Sequence, residues 1–315
     1  MSFSCILLTF LATCLLVAYP AAAQKRIALT FDDVPRARDS FLTPDERTER
    51  LITALREARV PQAAFFVTTG NLDGADGAGG EAHIAAYVAA GHVIANHSHS
   101  HLWATRTPVA DYLADLDRAD RWLEGRPGYR PWYRFPFLDE GRDTPERRDA
   151  LRGGLRERGL QSGYVTVDSY DWYLDQLVDR AAAAGAAIDR NALRDLYVEM
   201  IVGAAEFNEG IARETLGRSP AHVMLLHETD LAALYIADAV AALRARGWEI
   251  VSADTAFADP IATEEPDSMF LGGGRIAALA NARGRPRAGL VPRWNEESVI
   301  SALFNERVLR QRVSP

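Results

Sequence analysis

The 315-residue chain is 48% apolar and 25% charged, with a formal net charge of −8 and a pI near 5.5. That balance supports a large globular core and excludes a nucleic-acid partner, which needs a basic face. Both cysteines, Cys5 and Cys14, lie in the first 23 residues. The rest of the chain therefore has no disulfide framework, no thiol nucleophile and no cysteine-ligated zinc.

Residues 1–23 hold an apolar run followed by small residues at Ala21 and Ala23. This pattern predicts a secretory signal peptide cleaved after Ala23, with no stable membrane insertion afterwards and a secreted or periplasmic product. From there short β-rich runs alternate with helical patterns. Strands are expected at 26–31, 62–68, 92–96, 133–137, 163–168, 222–227 and 248–253. Helices are expected at 44–59, 81–90, 108–124, 145–158 and 231–246, the first starting at Pro44 after Thr43. Repeated strand–helix alternation over 24–259 predicts a parallel, nearly closed α/β barrel. Residues 173–218 break the rhythm and read as one or two inserted helices before the strand bearing His227. Residues 260–295 read as a linker or wrapping tail, and 297–310 as an amphipathic helix.

In α/β barrels, chemistry collects where strands end. Here those ends carry Asp32 and Asp33, the HSHSH stretch 97–101, Arg134, the DSYDW stretch 168–172, and His227. His97 and His101 are spaced i, i+4, which on a helical turn aims both imidazoles one way. Asp33 completes a two-histidine, one-carboxylate set with a position left for water or substrate. His99 lies midway and is expected to point away. Asp32 then faces substrate as general base, held ionised by a bidentate contact from Arg134.

TFDDVP (30–35), HSHSH (97–101), RFPF (134–137), DSYDW (168–172) and LLH (225–227) resemble the five ordered motifs of the NodB-type polysaccharide deacetylases, carbohydrate esterase family 4. The resemblance implies a distorted (β/α)7 barrel with a divalent metal, usually zinc, acting on acetylated carbohydrate polymers or oligomers. By motif, Asp32 resembles the general base and Asp33, His97 and His101 the metal ligands. Arg134 resembles the residue orienting the base, and Phe137 the position whose backbone N–H faces the oxyanion. His227 resembles the general acid. An Asp of DSYDW, Asp171 or alternatively Asp168, resembles its supporting carboxylate. Trp172 and Leu225 resemble apolar walls of the acetyl pocket, with Tyr170 beside them in the groove. The resemblance implies N-deacetylation of a GlcNAc-containing polymer. An O-acetyl esterase on xylan, a small-amide hydrolase and a non-catalytic carbohydrate-binding relative are the alternatives. Three departures stand out: Val34 where glycine is common, Phe137 where tyrosine is common, and Glu228 where aspartate often follows the histidine.

Overall fold

The computed structural model describes residues 24–73, 77–270 and 272–311. Residues 1–23, where a signal peptide is expected, lie outside the described residues. Seven parallel strands build one curled sheet. They are β1 (Lys25–Val34), β2 (Ala64–Val67), β3 (Val93–Asn96), β4 (Tyr129–Tyr133), β5 (Gln161–Ser162), β6 (Ala221–His227) and β7 (Trp248–Ile250). The order is β5-β4-β3-β2-β1-β6, and β7 pairs with the first residues of β1, before β2 joins at Thr30. The chain after β5 then reaches β6: Val167 bridges to Met224, and the Leu225 N–H donates to the Val167 carbonyl at 2.9 Å. The sheet thereby curls into the distorted barrel that the motifs imply.

Parallel neighbours need crossovers, and helices supply them. These are α1 (Pro44–Glu57), α2 (Gly80–Ala89), α3 (Val109–Leu123), α4 (Pro145–Glu157) and α7 (Asp230–Ala245). Thr43 caps α1 in a reciprocal box with Glu46, as the Thr-Pro-Asp-Glu run predicts. Between β5 and β6 the chain forms two helices, α5 (Asp171–Ala183) and α6 (Arg190–Leu216). α6 buries Leu193, Leu196, Tyr197, Met200 and Ile201 in the main core alongside α7. The helical segment is thus the crossover itself, with α6 seated in the outer ring. Among the described residues no helix is long and apolar enough to cross a membrane.

The strand bearing the third motif differs from expectation. β4 covers 129–133, and 136–138 form a 3-10 turn with Phe137 at φ 58°. Arg134 sits just past the strand. Residues 260–295 also differ, since they hold helix α9 (Gly274–Ala282). α9 buries Ile276 and Leu279 in the second core cluster. Arginines of α4 and its approach fasten this segment. Arg142 donates to the Phe270 carbonyl at 2.5 Å, Arg152 to the Pro266 carbonyl at 3.1 Å, and Arg148 pairs with Asp267. α8 (Ala253–Phe257) leads into it, and α10 (Glu297–Leu303) closes the chain, ending in a π-turn over Phe304–Val308.

Candidate active site and metal centre

Strand alternation would send Asp32 and Asp33 to opposite faces. It does not here, because β1 shifts register between Phe31 and Val34 and Asp33 adopts φ 66°. Both carboxylates therefore reach the barrel mouth. Asp32 continues the inward row of Ala28 and Thr30 and stands register-opposite His227 on β6.

Arg134 is fully buried and stacks over the Phe66 ring at 3.8 Å. One guanidinium nitrogen donates to Asp32 Oδ1 at 2.6 Å and to Thr30 Oγ1 at 2.7 Å, while its Nε donates to the Gly163 carbonyl at 2.8 Å. The contact with Asp32 is single, not the bidentate fork expected. The guanidinium is placed for the strand-end carbonyls, which take its other donors.

HSHSH is a loop and not a helical turn. Ser98 and His101 both have positive φ, at 73° and 53°. Asp115 of α3 holds the loop, accepting from Ser98 Oγ at 2.6 Å and from the backbone N–H of His99 and Ser100 at 3.0 Å each. Ser98 Oγ in turn accepts from the His101 N–H at 2.9 Å. His97 and His101 converge through this folding rather than through helical spacing. His99 turns away, its Nδ1 2.9 Å from Thr69 Oγ1.

The Asp33, His97 and His101 ligand atoms lie within 4.8 Å of one another. Asp33 Oδ1 is 3.5 Å from His97 Nε2 and 3.2 Å from His101 Nε2. The His97 Nδ1–H donates to the Arg134 carbonyl at 2.9 Å, which leaves Nε2 with its lone pair. Asp33 Oδ1 is buried without a hydrogen-bond partner. A buried, unpaired carboxylate oxygen between two imidazole nitrogens fits a divalent cation. Burial opposes the Asp33 charge, but His101 and His97 beside it hold its carboxyl well below the usual carboxylate range.

His227 takes Asp171 as partner. Its Nδ1 lies 2.8 Å from Asp171 Oδ1, and its backbone N–H donates to Asp171 Oδ2, also at 2.8 Å. Burial alone would depress the imidazole; Asp171, with Asp33 and Asp32 behind it, raises it to about 9. Asp168 has a different partner, since it accepts from Asn295 Nδ2 at 2.8 Å. Burial raises the Asp168 carboxyl to about 6.

A cleft of 570 Å³ opens over these groups. Trp172, Tyr170 and Leu225 line one side. Phe137 lines another, 45% exposed and stacked on Trp103 at 3.8 Å with 6° between the rings. Trp132 packs against Phe257 in the core. The other histidines are structural. His83 meets Asp45 at 2.6 Å, His92 accepts from the Ala63 N–H, and His222 lies 3.0 Å from Glu209. Asp115, Asn295, Glu297 and Arg36 were missed by the motif reading. Arg36 faces Asp33 Oδ2 at 3.4 Å, and Glu297 lines the cleft. None of the four sits in a motif, so only the tertiary fold shows them.

Residues 20–156 match the family model described as polysaccharide deacetylase. With the five motifs and the curled parallel barrel, that match supports a likeness of this chain to the NodB-type polysaccharide deacetylases. A polysaccharide deacetylase from Bacillus cereus shares the fold at TM-score 0.51 and 19% identity, over 73% of this chain and 92% of that one. A family 4 pseudoenzyme from Bacillus anthracis aligns at TM-score 0.50 and 14% identity, over 75% of this chain and 66% of that one. A family 4 carbohydrate esterase from Streptomyces lividans, in complex with acetate, aligns at TM-score 0.47 and 23% identity, over 72% and 92% of the two chains. No curated protein matches the chain.

Proposed function

We propose that this chain is a secreted, metal-dependent N-deacetylase of a GlcNAc-containing glycan, either chitin oligomers or peptidoglycan. A pseudoenzyme shares the fold, so activity must rest on the side chains. The observation that carries the reading is their convergence in one cleft. A ligand triad, an Arg-held carboxylate and an Asp-held imidazole face the same space.

A divalent ion held by Asp33, His97 and His101, most simply zinc, supplies a Lewis acid at the acyl group. Asp32 accepts the proton of the attacking water as the new carbon–oxygen bond forms, and Arg134 holds it aimed. The Phe137 backbone N–H is assigned to the developing oxyanion, a contribution on the order of 3 kcal/mol. As the carbon–nitrogen bond breaks, His227 gives its proton to the departing nitrogen. Trp172, Leu225 and Tyr170 shield the acyl group from bulk water. An imidazole held protonated to about 9 favours amide over ester cleavage, because an amine leaves poorly without a proton while an alkoxide needs less help.

Export is proposed from the pattern of residues 1–23 alone. The test is acetate release by the mature protein, stripped of metal and then zinc-restored, on chitin oligomers, peptidoglycan and acetylated xylan. Zinc-dependent release from a GlcNAc polymer supports the proposal. Release from xylan alone moves the assignment to an O-acetyl esterase, and no release with zinc stoichiometrically bound removes the glycan assignment.

A further inference from the structure

Asp33 reaches the barrel mouth only because β1 breaks register between Phe31 and Val34 and takes φ 66° at Asp33. A left-handed aspartate is a strained arrangement that persists only where its surroundings fix it. Hydrogen bonds to the chain on either side fix it here. The Thr68 N–H donates to the Val34 carbonyl at 2.9 Å, and Asn71 Nδ2 donates to the Asp33 carbonyl at 3.0 Å. Glu228 holds the same stretch at both of its ends. Its backbone N–H donates to the Asp32 carbonyl at 3.3 Å, and its Oε2 accepts from the Arg36 N–H at 2.8 Å.

Glu228 is buried and follows His227 directly in the chain. Among the described residues its side chain forms no ion pair. Its other oxygen, Oε1, accepts from the Tyr87 hydroxyl at 2.6 Å. The Tyr87 ring is fully buried and stacks on Phe65 at 3.9 Å, and Phe65 stacks on Phe31 of β1 at 5.1 Å. That pillar of rings fixes where the hydroxyl stands. The carboxylate is therefore aimed by one donor from α2 and one from the loop after β1, and hydrogen bonds to a charged acceptor are the strong kind. The position that departs from the fifth motif thus has a geometric task.

We propose that Glu228, aimed by Tyr87, is a positioning residue for the metal centre: it clasps the chain on both sides of Asp33 and so sets where that ligand stands. The clasp also ties the end of β1 to the end of β6, where Asp32 stands register-opposite His227. The inference rests on Asp33 being a metal ligand, as in the function proposed above.

The test is the zinc Kd of the full-length, metal-stripped protein, read by competition with a chromogenic chelator, which needs no turnover. Glu228→Gln keeps the side chain's size but turns one acceptor oxygen into a donor. Its zinc Kd is expected to weaken about ten-fold, as for a lost outer-shell support. Tyr87→Phe keeps the ring stack and removes only the hydroxyl, so a loss of about three-fold is expected, as for one hydrogen bond. Tyr87→Phe decides alone if Glu228→Gln does not fold. The control is Glu209→Gln, another buried carboxylate, set beside Ser219 and His222 at the opposite end of β6. It should lower the melting temperature and leave the zinc Kd unchanged. A Kd insensitive to both Glu228→Gln and Tyr87→Phe overturns the proposal, even if acetate release succeeds. An equal loss in Glu209→Gln also overturns it, by reducing the effect to general stability. A clasp-dependent Kd without acetate release keeps the positioning role and rejects the deacetylase reading.

Discussion

Asp171 grips His227 twice, once at the ring and once at the backbone N–H, both at 2.8 Å. The imidazole's orientation and its charge thus come from one carboxylate at the first residue of α5.

Replacing that carboxylate should expose its role. In Asp171→Asn the imidazole falls from about 9, because only Asp33 and Asp32 are then left to oppose burial. Turnover at pH 8 should drop by about 10² to 10⁴, with a smaller loss at pH 5.5. The raised value also stabilises the fold, by up to about 3 kcal/mol, fully below pH 6.5 and fading as pH rises through 9. A pH–kcat profile from 5 to 10 checks this; an unshifted alkaline limb would refute the pairing.

Metal binding at the proposed triad is predicted from the unpaired Asp33 oxygen. Zinc added to stripped protein at about a thousand times its Kd should stabilise the fold by about 4 kcal/mol. His101→Ala should abolish most of that gain. Equal melting shifts in variant and wild type would remove His101 from the ligand set.

Asp115 anchors the histidine loop without touching the ligand triad. Asp115→Ala strands the Ser98 hydroxyl and the His99 and Ser100 amides. Zinc affinity should fall about 10- to 100-fold, as for a lost outer-shell support. Competition with a chromogenic chelator measures it, and unchanged affinity would mean the loop holds itself.

Phe137 stacks on Trp103 while nearly half exposed. Phe137→Ala should cost only about 1 kcal/mol of stability and leave bound zinc unchanged. KM should rise, because the stack forms a wall of the cleft. A change in zinc content instead would place the ring's role at the proposed ligand His101, 4.5 Å from it.

Asp168 is ionised at neutral pH against its burial. Its folded value, about 6, exceeds its ordinary 3.8, so the penalty is absent below pH 3.8 and complete above 6. Asp168→Asn should therefore stabilise the fold at pH 7.5 more than at pH 4, by up to about 3 kcal/mol, with a correspondingly larger rise in Tm. Identical Tm gains at both pH values would contradict the burial argument.

The strand–helix rhythm and the five motifs were legible because hydrophobic periodicity and turn residues are local signals. Asp33 shows where locality ends: its proximity to His97 depends on a bulge and a left-handed backbone. His97 and His101 illustrate a right pairing reached by the wrong geometry, since a loop pinned by Asp115 does what a helical turn was expected to do. Arg134 was placed in a strand that had already ended. Asn295 lies 127 residues from Asp168, and no spacing rule links positions that far apart.

The arginine-fastened C-terminal segment has a consequence for biogenesis. A nascent chain ending at Ala258 would already contain every motif residue. It would still lack Asn295 and Glu297, and Asp168 would meet water instead of an amide. During synthesis the side of the cleft formed by Asp168 and Glu297 is thus the last part to be assembled, after the groups assigned to hydrolysis.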